Sequence, residues 1–255
     1  MLSIKEFFSR DKVTAFLIHL LISAAIVAIV FVLIFFFWYP RPYFEANGAW
    51  KVLRVLVLVD LVMGPLLTLL LFKKGKPGLI VDLCLIAAVQ IGALAYGINI
   101  LYGERPYYLA FAVDRFEVVG KVEIDQTKIN YPELKIKPNQ GPILVFADFP
   151  EDKEERENFL FSVVLDGTPD LERRPEYYHP YIVHKERVIK KAKPLKELIK
   201  SDENNKLEVE KFLTRQGGAL EDYLYLPLVG KNTDLALVID KTTGLPIDGI
   251  TADPW

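Results

Sequence analysis

The sequence predicts a membrane α-helical fold of three transmembrane helices followed by a soluble α+β domain with a largely antiparallel sheet. Three observations predict it. Apolar runs of membrane-crossing length fill the first hundred or so residues. Charge is segregated, with nine Lys/Arg against five Asp/Glu before Gly103 and 22 against 28 after it. The remaining residues alternate short β-branched and aromatic runs with charged helical ones. The first part, 1–102, is thus net basic and the second, 103–255, mildly acidic. Roughly 150 residues make one domain's worth of chain, enough to bury a core without staples. The single cysteine, Cys84, lies in an apolar run, so disulfides do not decide the compartment.

A helix needs about 20 apolar residues to cross ~30 Å of hydrocarbon. Three stretches qualify, at about 15–38, 52–72 and 79–101. The first has His19 as its one strongly polar member and ends in Trp38-Tyr39-Pro40, an interfacial aromatic group. Its apolar core is too long for a cleaved signal peptide and no small-residue cleavage site follows it before Pro40. MLSIKEFFSRDK also lacks the glycine of a prepilin leader, so the chain is not expected to be a pilin. Between the second and third stretches only Lys73-Lys74-Gly75-Lys76-Pro77-Gly78 remain, which makes those helices antiparallel neighbours and puts three lysines on one side. Lys5, Arg10 and Lys12 join them, against Arg41, Lys51, Arg54, Arg105 and Arg115 opposite. The bias, though modest, predicts a bacterial inner-membrane protein with a cytoplasmic N-terminus and a periplasmic C-terminal domain.

Ionisable groups inside such helices are costly and attract functional hypotheses. Asp60 lies about twelve residues from Phe72 and Gln90 about eleven from Leu79, so both sit at mid-depth and are expected to hydrogen-bond through the Asp60 side chain. By the same reasoning His19 and Asp82 pair near the cytoplasmic edge. Gly64-Pro65 bends or breaks the second helix. These six residues, His19, Asp60, Gly64, Pro65, Asp82 and Gln90, either lock the bundle or meet a partner helix. An ion path is the weaker reading, because one mid-depth carboxylate lacks a chain of relays. In the third helix Gly92 and Gly97 offer a close-packing face.

The soluble part opens with a strand at about Tyr107 to Val113, an Asp114-Arg115 turn and a strand from Phe116. GPILVFADFP is a further strand, and PEDKEERENFLFSVVL a helix with Pro and acids at its first turn. Helical stretches follow in HKERVIKKAKPLKELIKS, interrupted at Pro194, and in LEVEKFLTRQ, which stops at Gly217-Gly218. YLYLPLVG, DLALVID and LPIDGI then form an antiparallel meander. Strands flanking helices give α+β.

The chemistry of an enzyme is not visible. Ser162 falls inside a helix and no Gly-x-Ser-x-Gly elbow occurs. His179 and His184 flank an extended-looking Tyr181-Ile182-Val183 that would point them to opposite faces, away from joint metal ligation. No phosphate-cradling glycine loop is present. The acids at 151–157 read as a solvated helix face, since nothing fixes one as acid and another as base. The basic run from Lys185 to Lys200 reads as a solvated surface or as one touching lipid headgroups. Neither cofactor, metal nor nucleic acid is expected; lipids and further copies of the chain are. Tyr177, Tyr178, His179 and Tyr181 form the candidate periplasmic contact surface, with a packed loop as the alternative.

The order of these features resembles the TfpX/TfpZ family of type IV pilin accessory proteins. The likeness rests on AFLIHLLIS and WYP around the first helix, VDLVMGPLLTLLLFKKGKPG in the second, and VDLCLIAAVQIGALAYG in the third. In the soluble part it continues through FAVDRFEVV, YLPLVG and the terminal DPW, while 151–216 carry no such motif. The resemblance implies an inner-membrane helper, not a catalyst, that acts like a chaperone for a cognate type IV pilin. A membrane-anchored sensor or scaffold of the envelope is the alternative.

Overall fold

The computed structural model describes residues 9–137 and 141–255; Lys5, counted above toward orientation, lies outside them. The chain divides into two compact units, one of 1–38 and 49–103, the other of 39–48 and 104–255.

In the first unit, three helices are long and apolar enough to cross a membrane: Arg10–Trp38, Ala49–Leu71 and Leu79–Gly103. The first is α1 (Arg10–Leu33) continued by a π-helical turn at Ile34–Trp38. The second is α3 (Ala49–Val57), a π-helical segment at Leu58–Met63, and α4 (Gly64–Leu71). The third is α5 (Leu79–Gly103). The first and third helices pack on the second rather than on each other. Gly97 makes room for Leu56 in that packing, since a methyl group there would fall 2.7 Å from Leu56 Cδ2 and push that side chain aside. Gly92, expected to share the role, faces open space. Trp38 and Tyr102 meet edge to face, 5.1 Å between ring centres.

The second unit is built on an eight-stranded sheet in the order β4-β3-β1-β2-β6-β7-β8, with β5 beside β6. Its strands are β1 (Pro106–Ala112), β2 (Arg115–Gly120), β3 (Ile143–Ala147), β4 (Tyr178–Pro180), β5 (Lys193–Pro194), β6 (Tyr223–Val229), β7 (Leu235–Asp240) and β8 (Pro246–Ile250). Its helices are α2 (Tyr43–Ala46), α6 (Lys153–Leu165), α7 (Tyr181–Lys191), α8 (Leu195–Ser201) and α9 (Glu203–Gln216).

The sheet is mixed, which corrects the expectation of a largely antiparallel one. The tight turn after β1 makes β1 and β2 antiparallel, and β6 to β8 form the expected meander. At the centre, however, β3 runs parallel to β1 and β6 parallel to β2. The cause is strand order: β3 follows β2 in the chain but pairs on the free edge of β1, and β6 pairs on the free edge of β2, so each lies beside the strand that runs its own way.

Both faces of the sheet are covered, so β1 is buried at every residue. Leu109 and Phe111 face one side with Phe146, Val188 and Leu226, under α7 and α2. Tyr108 and Ala110 face the other with Phe159 and Leu171, and beyond them Val238 and Tyr225 pack on Leu198 and Phe212 of α8 and α9. Alternation with period 2 sorts these side chains. Each large one buried is worth roughly 1.5–3 kcal/mol.

Residues 39–48 contribute to this core even though they connect the first two apolar helices. Ala46 is fully buried among Leu228 and Leu235, with Tyr43 packed beside it. The Ala46 carbonyl accepts the N–H groups of Asn232 (2.8 Å) and Thr233 (3.3 Å), and Thr251 Oγ1 donates to Glu45 Oε2 at 2.9 Å. Gly230 and Gly249 permit the approach: added methyl groups would lie 2.3 Å from the Ala46 oxygen and 2.3 Å from Pro42 Cβ.

Candidate functional site

Four polar residues of the three apolar helices, His19, Asp60, Thr68 and Gln90, converge on one cluster, arranged differently from the expectation. Gly64 N–H bonds to the Val59 carbonyl, five residues back, in the π register. The next donor in that register, for the Asp60 carbonyl, would be Pro65, which has no N–H. Gln90 takes its place, its Nε2 donating to the Asp60 carbonyl at 3.1 Å. The expected Asp60–Gln90 contact therefore runs through the backbone and not the carboxylate. A methyl group at Gly64 would lie 2.0 Å from Gln90 Nε2, so a glycine is required for the amide to reach.

The other face of Gln90 bridges to the first helix. His19 Nε2 lies 2.9 Å from Gln90 Oε1, and His19 Nδ1 lies 2.6 Å from Thr68 Oγ1. With the amide nitrogen spent on Asp60, Oε1 is an acceptor. The imidazole then donates at Nε2, and in its neutral form accepts the Thr68 hydroxyl at Nδ1. His19 does not pair with Asp82. The first helix begins at Arg10 rather than near Ala15, which places His19 deeper than the expectation did. Asp82 instead accepts from Lys76 Nζ at 2.5 Å, at the helix end. Thr68 was not picked out from the sequence; its spacing of eight residues from Asp60, about two turns along one face, was the available signal.

What remains is the Asp60 side chain. Asp60 is 4% exposed, and both carboxyl oxygens are buried without a hydrogen-bond partner. Asp60 lines a cavity of about 240 Å³ between the first and third helices, with Ser23, Ile26, Ile91 and Leu94. Thr68, His19 and Gln90 are already engaged with one another and with the Asp60 backbone. A charged side chain at the centre of a membrane-crossing helix costs about 2.5–3.5 kcal/mol on insertion scales, and a buried polar group left without a partner costs ~1–3 kcal/mol. Of His19, Asp60, Thr68 and Gln90, only Asp60 is left with a side chain that has no partner.

The second unit does not assemble the aromatic contact surface expected from Tyr177, Tyr178, His179 and Tyr181. Tyr178 is fully buried, its hydroxyl donating to the Glu172 carbonyl and its ring against Tyr108. Tyr181 is buried on the opposite face of the sheet, donating to the Gly244 carbonyl at 2.5 Å. Burial raises both phenols above their ordinary range. Strand and helix alternation turns them into the two cores, and only Tyr177 and His179 stay partly exposed. Tyr177 donates to Glu155 Oε1 at 3.2 Å.

His179 and His184 are neighbours, with ring centres 5.4 Å apart. The expectation of opposite faces assumed an extended 181–183, whereas α7 starts at Tyr181. His184 stacks on Phe146; burial first, then His179 and Arg187, lower its affinity for a proton. Arg187, from the basic run, forks onto Asp148. Among the described residues no group of three or more His, Cys, Asp or Glu is placed to hold a metal ion. A charged network ties β2 to the loops: Arg173 bonds Glu123 (2.8 Å) and Glu117 (3.1 Å), and Lys231 reaches Glu123 (2.8 Å) and Glu104.

Comparison with known proteins gives these features a setting. A fimbrial assembly protein of serogroup I from Dichelobacter nodosus is 31% identical over 241 residues, covering 91% of this chain and 93% of that one. The chain belongs to the FimB family of fimbrial assembly proteins. The FimB profile itself matches residues 7–48, the first apolar helix and the segment docked on the sheet. A second FimB-family relative, the serogroup E1 fimbrial assembly protein of the same organism, is 30% identical with the same coverage. The serogroup C1 and C2 protein is 36% identical over 109 residues, 42% of this chain and 83% of its own length. No solved structure matches.

Proposed function

We propose that this FimB-family protein is a bacterial inner-membrane factor that supports production or assembly of a type IV fimbrial subunit through protein–protein contacts. The finer likeness to the TfpX/TfpZ pilin accessory proteins belongs to the same reading. Near full-length similarity to proteins named for fimbrial assembly is the observation that carries it. The three apolar helices cross the membrane in this reading, with Lys73, Lys74 and Lys76 in the cytoplasm and the sheet unit in the periplasm. The protein holds the subunit before polymerisation, as a chaperone does, and performs no covalent chemistry. A bundle whose polar cluster leaves the Asp60 side chain without a partner supports it.

Deletion and complementation test the reading. Loss of surface fimbriae together with a fall in subunit abundance, restored by the intact gene, is expected. Unchanged fimbriation with an altered envelope-stress response would favour a membrane-anchored sensor instead. A protease-protection assay in spheroplasts checks the topology: residues after 103 should be digested while the 73–78 loop is spared.

A further inference from the structure

The cavity at Asp60 is one part of a longer groove. A second cavity of about 650 Å³ shares His19, Ile22 and Ala87 with it and extends toward Arg10 and Phe72. Together they make a channel between the first and third helices, walled by Ile18, Ile22 and Ile26 on one side and Leu83, Ala87 and Leu94 on the other. Thr68 and Asp60 of the second helix form its floor. From Arg10 to Ile26 the groove is ~24 Å long at the α-helical rise, most of the ~30 Å of hydrocarbon that a membrane helix crosses.

We infer that this groove seats the transmembrane helix of the fimbrial subunit, through an N–H or O–H donor that the subunit presents to the Asp60 carboxyl group. The inference rests on the assembly role proposed above. Asp60 has no donor within the bundle as folded: His19, Thr68 and Gln90 are committed to each other and to the Asp60 carbonyl, and Ser23, which lines the same cavity, makes no hydrogen bond to its carboxyl. A lipid acyl chain fits the apolar walls but has no donor to give. A second copy of this chain has none at the right depth. Of the outward polar side chains of α5, the nearest to Gln90 are Cys84 and Tyr96, six residues either side of it and ~9 Å away along the axis. On the first helix His19 and Ser23 already line the groove. A single foreign helix with one polar group at mid-depth satisfies both the walls and the floor.

Photo-crosslinking in cells tests this, with the full-length protein carrying a photoreactive residue at Ile18 or Ala87, and at Val55, which is 60% exposed and outside the groove, as control. Subunit adducts are expected from the groove positions and not from Val55. Asp60→Leu should cut them at least tenfold at unchanged protein abundance, and Asp60→Asn, which keeps an acceptor, should cut them less. Should Asp60→Leu lower the abundance of the protein, Ala87→Trp assayed from Ile18 takes its place; it fills the groove while keeping aspartate at position 60 and should remove the adducts. Equal subunit capture at Val55, capture that survives both Asp60→Leu and Ala87→Trp, or adducts only with lipid or a second copy would overturn the inference. If fimbriae are lost on deletion but the groove captures no subunit, the groove is refuted and the assembly role stands. If deletion leaves fimbriae intact, the assembly role fails and the inference with it.

Discussion

Replacing Gly230 by alanine should loosen residues 39–48 from the sheet. The added methyl group would lie 2.3 Å from the Ala46 oxygen, 2.6 Å from its carbonyl carbon and 2.7 Å from its Cβ, a main-chain obstacle that no rotamer change removes. The segment must move, and the Ala46 carbonyl then loses the Asn232 and Thr233 amides. Two such hydrogen bonds are worth ~1–3 kcal/mol net, and forcing a methylene into a packed site costs a further ~1–3 kcal/mol. Local opening should thus be easier by about 2–6 kcal/mol, and 1.4 kcal/mol is a tenfold change in an opening equilibrium. Hydrogen exchange of the 231–234 peptide in the detergent-solubilised protein reads this directly, with an acceleration of tenfold or more expected. Exchange at the native rate, with an unchanged unfolding midpoint, would refute the docking argument.

Asp60→Leu removes the unpartnered carboxyl and should leave detergent stability unchanged or raise it by ~1 kcal/mol; a loss above ~1 kcal/mol in denaturant titration would mean that the side chain has a partner within the bundle. Glu123 is pulled up by burial but held below the usual carboxylate range by hydrogen bonds from Lys231, Arg173 and the Gly120 N–H. Its stabilisation is therefore present above pH 4.5, the ordinary glutamate value, and is lost as pH falls through the lowered native value. Glu123→Gln should cost ~1–3 kcal/mol at pH 7 and flatten the acid limb of a stability profile; an acid limb as steep as before would assign it to other groups. Val113, at φ 60° between β1 and β2, is a β-branched residue in the left-handed region and half exposed. Val113→Gly should stabilise by about 1 kcal/mol in thermal unfolding, and a decrease would show that the valine side chain is itself in use.

Periodicity and length made the three apolar helices legible, and β-branched runs did the same for most strands. The parallel pairings were not, because they depend on which edges of the β1–β2 pair the later strands join and no local pattern records that. The polar cluster was half legible. Asp60 and Gln90 were placed at one depth by counting from the 73–78 loop, but depth is only the axial coordinate. Which oxygen of Asp60 meets Gln90 depends on the π register, traceable in hindsight to Pro65 lying five residues on. His19 went to Thr68 and Gln90 because its helix starts at Arg10, where Arg10, Asp11 and Lys12 gave no apolar signal. The aromatic run failed as a surface because Tyr178 and Tyr181 sit either side of a strand-to-helix change that turns them into opposite cores.

The docking of residues 39–48 also sets an order of events during synthesis. Ala46 leaves the ribosome 182 residues before Leu228, so at about 5–20 residues per second its shelf on the sheet is missing for roughly 10–40 s. Over that interval Tyr43 and Ala46 wait uncovered while the rest of the second unit is made. Closure over Gly230 and Gly249 is accordingly among the last steps of maturation, and a nascent chain halted before β6 would display this segment to whatever binding factor the compartment holds.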